Sequence, residues 1–185
     1  MKLPLNQISE IQFGLHAQPT ESGDAAYLTA KHFGKAGNLI GEVNTKLKIA
    51  ERERLHLLQD GDVIFAGKGF RNFAWCYREQ FGAAIASSLF YVIRPNHEEI
   101  YPEYLCAILN LPKNRNYFQQ LGAGVTIPSI RKSELGDFKI SVIQMEKQKQ
   151  VAAIQELHQR EMELMNQLVE QKINLHQSII TKIIK

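Results

Sequence analysis

The sequence predicts an α+β fold: a globular domain of mixed strands and short helices, followed by one long C-terminal α-helix. Three observations carry that prediction. Short runs of β-branched and aromatic residues recur through the first 143 positions, bounded by Gly, Pro, Asn and Asp. Helix-forming stretches with start and stop residues interrupt them. From position 144 to Lys185 there is no Gly and no Pro, and Gln, Glu, Leu, Ile and Lys dominate. A chain of 185 residues holds one domain plus an extension. The expected division is therefore 1–143 and 144–185.

The elements follow in order. Val63-Ile64-Phe65-Ala66 reads as a strand after the turn signal Asp60-Gly61-Asp62. Phe73-Ala74-Trp75-Cys76-Tyr77 reads as a second, after a glycine-containing loop. Ser88-Leu89-Phe90-Tyr91-Val92-Ile93 is a third, ended by Arg94-Pro95-Asn96. Pro102 suits a first helical turn, so Glu103 to Leu111 reads as a helix ended by Pro112. Asn114 to Leu121 reads as another, stopped by Gly122. Asp137 to Val142 alternates, with Phe138, Ile140 and Val142 on one face. Strands this far apart must pair non-locally. No internal repeat is visible.

The last segment, fully helical, spans about 60 Å at 1.5 Å per residue. Ile154, Leu157, Leu164, Leu168, Leu175 and Ile179 form an amphipathic stripe. It is an imperfect heptad: Glu161 interrupts the series of Ile154, Leu168 and Leu175, and Gln171 interrupts that of Leu157 and Leu164. A helix this long cannot cover its stripe on so small a domain, so the stripe is expected to meet another long helix. Parallel and antiparallel pairing both satisfy the pattern.

Composition narrows the function classes. The charge is +3, from 22 basic and 19 acidic residues, which permits a nucleic-acid partner without demanding one. No apolar run approaches the roughly 18 residues of a membrane span. The first residues lack the apolar stretch of a secretory signal. Cys76 and Cys106 make no disulfide framework. These readings point to the cytoplasm. An enzyme would need a constellation that is missing. Gly122-Ala123-Gly124 lacks the third glycine of a dinucleotide fingerprint, and Gly67-Lys68-Gly69 lacks the spacing of a phosphate loop. The six histidines show no metal-ligand spacing.

Two loops carry the chemistry of DNA contact. Ala66-Gly67-Lys68-Gly69-Phe70-Arg71-Asn72 joins two strands and holds two glycines, two cations and an amide. Lysine neutralises phosphates, arginine grips guanine bidentately, and asparagine does the same with adenine. Gly122 to Lys132 offers open backbone, the hydroxyls of Thr126 and Ser129, and the charges of Arg131 and Lys132, a set that suits phosphate contacts. The candidate DNA-binding residues are thus Lys68, Arg71, Asn72, Thr126, Ser129, Arg131 and Lys132. The same residues also suit solvated surface turns. Asn114, Arg115, Asn116, Gln119 and Gln120 cluster nearby in sequence and either read bases or face water.

Taken in order, the features form a recognisable set. They are Gly61-Asp62-Val63-Ile64-Phe65 with its Gly-Lys-Gly loop, the strand Ser88 to Ile93, and Tyr104-Leu105. Gly124-Val125-Thr126-Ile127-Pro128-Ser129-Ile130-Arg131-Lys132-Ser133-Glu134-Leu135 follows, then the strand Phe138 to Val142. Glu146-Lys147-Gln148-Lys149-Gln150-Val151 opens the long helix. The whole resembles the DNA-specificity (S) subunit of type I restriction-modification systems, in a half-length form with a single target-recognition domain. The resemblance implies a target-recognition domain over 1–143 and a spacer and dimerisation helix over 144–185. Ile143-Gln144 stands where relatives carry a Pro-Pro pair.

The resemblance further implies a non-catalytic subunit without a cofactor of its own. Its domain reads double-stranded DNA, and its helix docks modification subunits that bind S-adenosylmethionine and methylate adenine. Restriction subunits join such complexes. Two copies paired through the helix, as a homodimer, are expected to read a bipartite site. The competing expectation is a coiled-coil adaptor that docks on a partner protein and reads no DNA.

Overall fold

Val63–Ala66 (β5) is buried at all four positions, so it needs partners on both edges and cover on both faces. The computed structural model, which describes residues 1–34, 37–121 and 128–184, supplies both. On one edge lies Ala74–Cys76 (β6), antiparallel, with Ile64 opposite Trp75. On the other lies Phe90–Pro95 (β8), antiparallel, with Phe65 opposite Tyr91. Ser9–Phe13 (β2) extends the sheet beyond β8, pairing Ile11 with Ile93. The order β2-β8-β5-β6 joins strands about 80 positions apart, the non-local pairing the sequence implies.

A second sheet runs β4-β3-β7, formed by Lys46–Leu47 (β4), Ala25–Leu28 (β3) and Ala84–Ala86 (β7), with β3 and β7 parallel. Lys2–Pro4 (β1) and Lys139–Ser141 (β9) close a two-stranded ribbon. One face of the central sheet packs Phe33, Phe73 and Phe90 edge-on and tilted, with centroids 5.1–5.9 Å apart. On the opposite face Phe65 meets Phe118, which meets Phe138 at 4.7 Å. Phe118 comes from Pro112–Leu121 (α4), which follows Pro102–Asn110 (α3). Leu5–Ile8 (α1), Glu51–Arg54 (α2) and Lys132–Gly136 (α5) are single turns.

Several expected boundaries move. The strand predicted over Ser88–Ile93 begins two residues later, because Ser87 to Phe90 forms a tight turn closed by the Phe90 amide on the Ser87 carbonyl. Pro112 does not merely end a helix; it occupies the first position of α4, where its missing N–H costs nothing. β1, β2, β3, β4 and β7 were not anticipated. They are two to five residues long, too short to display a clear alternation, and β3 and β7 are rich in Ala, which carries little strand preference.

Met145–Ile183 (α6) is one uninterrupted helix. Its first turn is fastened by Gln148, which is fully buried. The Gln148 side chain accepts the Tyr101 amide at 2.8 Å and donates to the carbonyls of Glu99 (2.9 Å) and Ile143 (2.8 Å). Both donors of the amide group and one of its two acceptor positions are thereby used. The chain divides into two compact units, Met1–Lys149 and Gln150–Lys185. No described helix is long and apolar enough to cross a membrane.

Candidate nucleic-acid interface

The β5–β6 connection is a six-residue hairpin loop whose neck is set by sequence. The Ala66 amide donates to Phe73 at 2.8 Å, continuing the ladder. Across the neck, Asn72 Nδ2 donates to the Ala66 carbonyl at 2.8 Å. Asn72 is 4% exposed. Its amide, expected among the DNA-contacting side chains, therefore closes the loop and is buried rather than standing on the surface. Burial was the missing information: an Asn in a glycine-containing loop reads as exposed until the strand beside it is known.

The second predicted loop is brought against the first. Lys68 and Ser129 pair as an antiparallel bridge. The Gly69 amide donates to Pro128 at 2.8 Å, and the Ile130 amide donates to Gly67 at 2.9 Å. Beneath them the Tyr91 hydroxyl donates to the Ile130 carbonyl at 2.7 Å. The Tyr91 ring lies so close that a Cβ on Gly67 would sit 2.4 Å from it, so only glycine fits there. Gly69 has a φ of +98°, the second position that requires glycine.

Lys68 is half-buried, and Arg71, Ser129, Arg131 and Lys132 are exposed. Among the described residues no ion pair engages Lys68, Arg71, Arg131 or Lys132. Arg71 reaches back weakly to the carbonyls of Phe33 and Ala30, at 3.5 Å each. The backbone amide of Arg131 donates to Glu134 at 2.7 Å, capping α5 and leaving its guanidinium outside that contact. Lys132 lines a separate shallow depression with Asn6, Ser9 and Glu10, away from the hairpin loop. Thr126 lies outside the described residues, as do the other positions of 122–127.

One contributor was named in sequence without being placed. Arg115, on α4, donates through Nε to the Asn72 carbonyl at 2.9 Å. Burial, with the neighbouring Arg71 charge added, pushes its guanidinium below its ordinary value. Another was overlooked as a side chain: Phe70, at the loop apex, is 76% exposed. Its apolar type in an otherwise polar loop was the available signal.

Among the described residues no group of His, Cys, Asp or Glu could hold a metal ion. Burial pushes the thiols of Cys76 and Cys106 up to about 12, so both stay protonated and poorly nucleophilic.

The predicted stripe of α6 is exposed at Ile154, Leu157, Leu164, Leu168, Leu175 and Ile179. Its period differs from the expected heptad. Steps of eleven join Leu157 to Leu168 and Ile179, Met162 to Ile173 and Ile184, Leu164 to Leu175, Ile154 to Met165, and Val169 to Ile180. Glu161 and Gln171, which break the heptads, then fall among polar or mixed columns with Lys172 and Arg160. An eleven-residue repeat gives about 3.67 residues per turn and favours straight or right-handed pairing.

Comparisons with known proteins agree with this architecture. The family profile for the type I restriction modification DNA specificity domain matches residues 5–174. The chain is similar to the crystal structure of the HsdS subunit from Thermoanaerobacter tengcongensis: TM-score 0.60 and 14% identity, over 87% of this chain and 37% of that one. It is also similar to the S subunit of a type I restriction-modification system from M. genitalium: TM-score 0.63 and 14% identity, over 92% of this chain and 41% of the other. A chain from a study of complex assembly and conformational transition in the type I R-M system gives a TM-score of 0.63 and 16% identity, with 87% and 38% covered. At this identity the likeness concerns the fold, and the chain spans less than half the length of each structure. No curated protein matches the sequence significantly. With a profile match across most of its length, the chain belongs to the type I restriction modification DNA specificity domain family.

Proposed function

We propose that this chain is a non-catalytic recognition subunit that reads double-stranded DNA through the surface built from Gly67–Arg71 and Ser129–Arg131, with Lys132 contributing from beside it. One observation carries the reading. Two cation-bearing segments, about 60 positions apart, are locked to one another by the Lys68–Ser129 bridge and its flanking backbone bonds. Preorganised loops with exposed cations serve both parts of DNA recognition: lysine holds phosphates, and arginine reads base edges. Arg115 adds positive charge behind Arg71.

The subunit acts within a type I restriction-modification complex in the cytoplasm. Modification subunits binding S-adenosylmethionine methylate adenine, and restriction subunits cleave; neither chemistry belongs to this chain. The stripe on α6 pairs with the helix of a second copy, giving a homodimer that recognises a bipartite site. Isologous pairing presents the same domain twice, so the two half-sites are inverted repeats of each other. The recognition domain comprises 1–143 and the spacer helix 144–185.

The test is quantitative DNA binding by the full chain, alone and with modification subunits. Lys68→Ala is expected to weaken binding to all duplexes and to reduce the salt slope by about one. Arg71→Ala is expected to relax sequence preference, at a cost of about 1–3 kcal/mol for the preferred site. Unchanged binding by both variants would defeat the assignment of the loop. Robust partner docking with no DNA binding at all would favour the adaptor reading, which the exposed stripe of α6 also supports.

A further inference from the structure

Phe70 is the most exposed aromatic residue among the described ones, at 76%. It stands at the apex of a loop that is held from several sides. Asn72 ties the neck to Ala66, Arg115 ties Asn72 to α4, and Gly69 and Lys68 are bonded to Pro128 and Ser129. A mobile loop could fold such a ring back onto the domain; this one is fixed with the ring outward. On either side stand Lys68 and Arg71, with Arg115 behind. An outward aromatic ring on a loop that also carries two cations suits a ligand that offers apolar flat faces within a negatively charged envelope. Nucleic acid has that composition, with base surfaces inside and phosphates outside. An apolar protein groove would not need the cationic rim.

We propose that Phe70 is a specificity-determining residue that makes apolar contact with the bases while Lys68 and Arg71 hold the flanking phosphates and base edges. The proposal rests on the DNA-reading function given above and adds to it a residue that polar readout does not predict. Two base surfaces share the chemistry: the face of a partly unstacked base, and the C5-methyl group of thymine. Neither is a phosphate, so the contact leaves the salt dependence alone; the methyl group is read directly, and unstacking favours the flexible pyrimidine–purine steps.

The test uses the full chain and duplexes of about 30 base pairs, selected by the wild type from a random pool, with unselected duplexes as controls. Phe70→Ala is expected to weaken binding to selected duplexes by about tenfold or more, with little change on unselected ones and no change in salt slope. Phe70→Trp is expected to retain preference and to show emission quenched by DNA, relative to the wild type with its single Trp75. Replacing thymine by deoxyuridine in the selected site separates the two surfaces: lost affinity in the wild type but not in Phe70→Ala identifies the methyl group, and retained affinity identifies stacking. If Phe70→Ala matches the wild type on selected DNA while Lys68→Ala weakens it, the inference fails and the DNA-reading function stands. If Phe70→Ala instead loses a modification subunit with DNA binding intact, Phe70 is a protein-docking contact and the inference fails. If the wild type binds no duplex, alone or with modification subunits, both fail together.

Discussion

The Tyr91 hydroxyl donates to the Ile130 carbonyl at 2.7 Å, linking the central strand β8 to a segment 39 positions away. The same ring fills the space a Cβ on Gly67 would need, so one side chain braces both halves of the proposed DNA-reading surface. Tyr91→Phe leaves the buried Ile130 carbonyl without that donor and is expected to cost about 1–2 kcal/mol. Gly67→Ala drives a methyl group into the ring and is expected to cost about 1–3 kcal/mol. Urea denaturation of the single variants and of Gly67→Ala with Tyr91→Ala measures the coupling. The Gly67→Ala penalty should shrink once the ring is gone; equal penalties in both backgrounds would contradict the contact.

Gln148 offers a second check on architecture. Its truncation to Ala strands the Tyr101 amide and the carbonyls of Glu99 and Ile143 around a fully buried site. The expected loss is about 3 kcal/mol, because unpaired buried polar groups cost more than the bonds contribute when made. Gln148→Glu should also destabilise, since it keeps the acceptor for Tyr101 and loses both donors. A stability equal to the wild type in either variant would show that this amide does not fasten the start of α6.

His32 gives a pH dependence with a definite sign. It is 4% exposed, and its Nδ1 accepts the Thr29 amide at 3.0 Å, so the ring is neutral with its proton on Nε2, facing Thr45 Oγ1 at 3.3 Å. Burial holds its pKa below the ordinary 6.5, and the Lys31 charge adds to this. The unfolded chain then binds the proton more readily. The contribution of His32 is complete above pH 6.5 and is lost as pH falls below that value. Thermal unfolding from about pH 7 to about pH 5 should show stability falling further in the wild type than in His32→Gln.

The α6 stripe predicts self-association and its period. Leu168→Glu places a charge in the middle of the apolar columns and should convert a dimer to a monomer in sedimentation equilibrium. Inserting eleven residues of the same pattern after Leu168 keeps every column in line and should preserve association. Inserting four rotates the columns beyond the insertion out of register and should weaken it. Monomeric wild type across micromolar concentrations would remove the homodimer from the proposed function.

The sequence made the fold class, the long helix and the strands of residues 63–66 and 73–77 readable because apolar runs between turn residues announce them locally. Ala84–Ala86 was unreadable for the opposite reason: alanines become a strand only where Ala25–Leu28 lies alongside. The site divides in the same way. Residue types identified Lys68, Arg71, Ser129 and Arg131 as candidates. The inward turn of Asn72, the reach of Arg115 from α4 and the outward ring of Phe70 depend on packing that no local pattern encodes.

The locking of the two segments consists largely of main-chain bonds: Gly69 to Pro128, Ile130 to Gly67, and Lys68 opposite Ser129. Such bonds are indifferent to which side chains the exposed positions carry. Positions 68, 70, 71 and 131 can therefore change identity at little cost to stability, while Gly67, Asn72 and Tyr91 cannot. A lineage under pressure to evade or acquire new targets could rewrite the former and keep the latter. On the proposed reading the frame and the text it displays are separable, and single exposed substitutions are expected to alter specificity without loss of the fold.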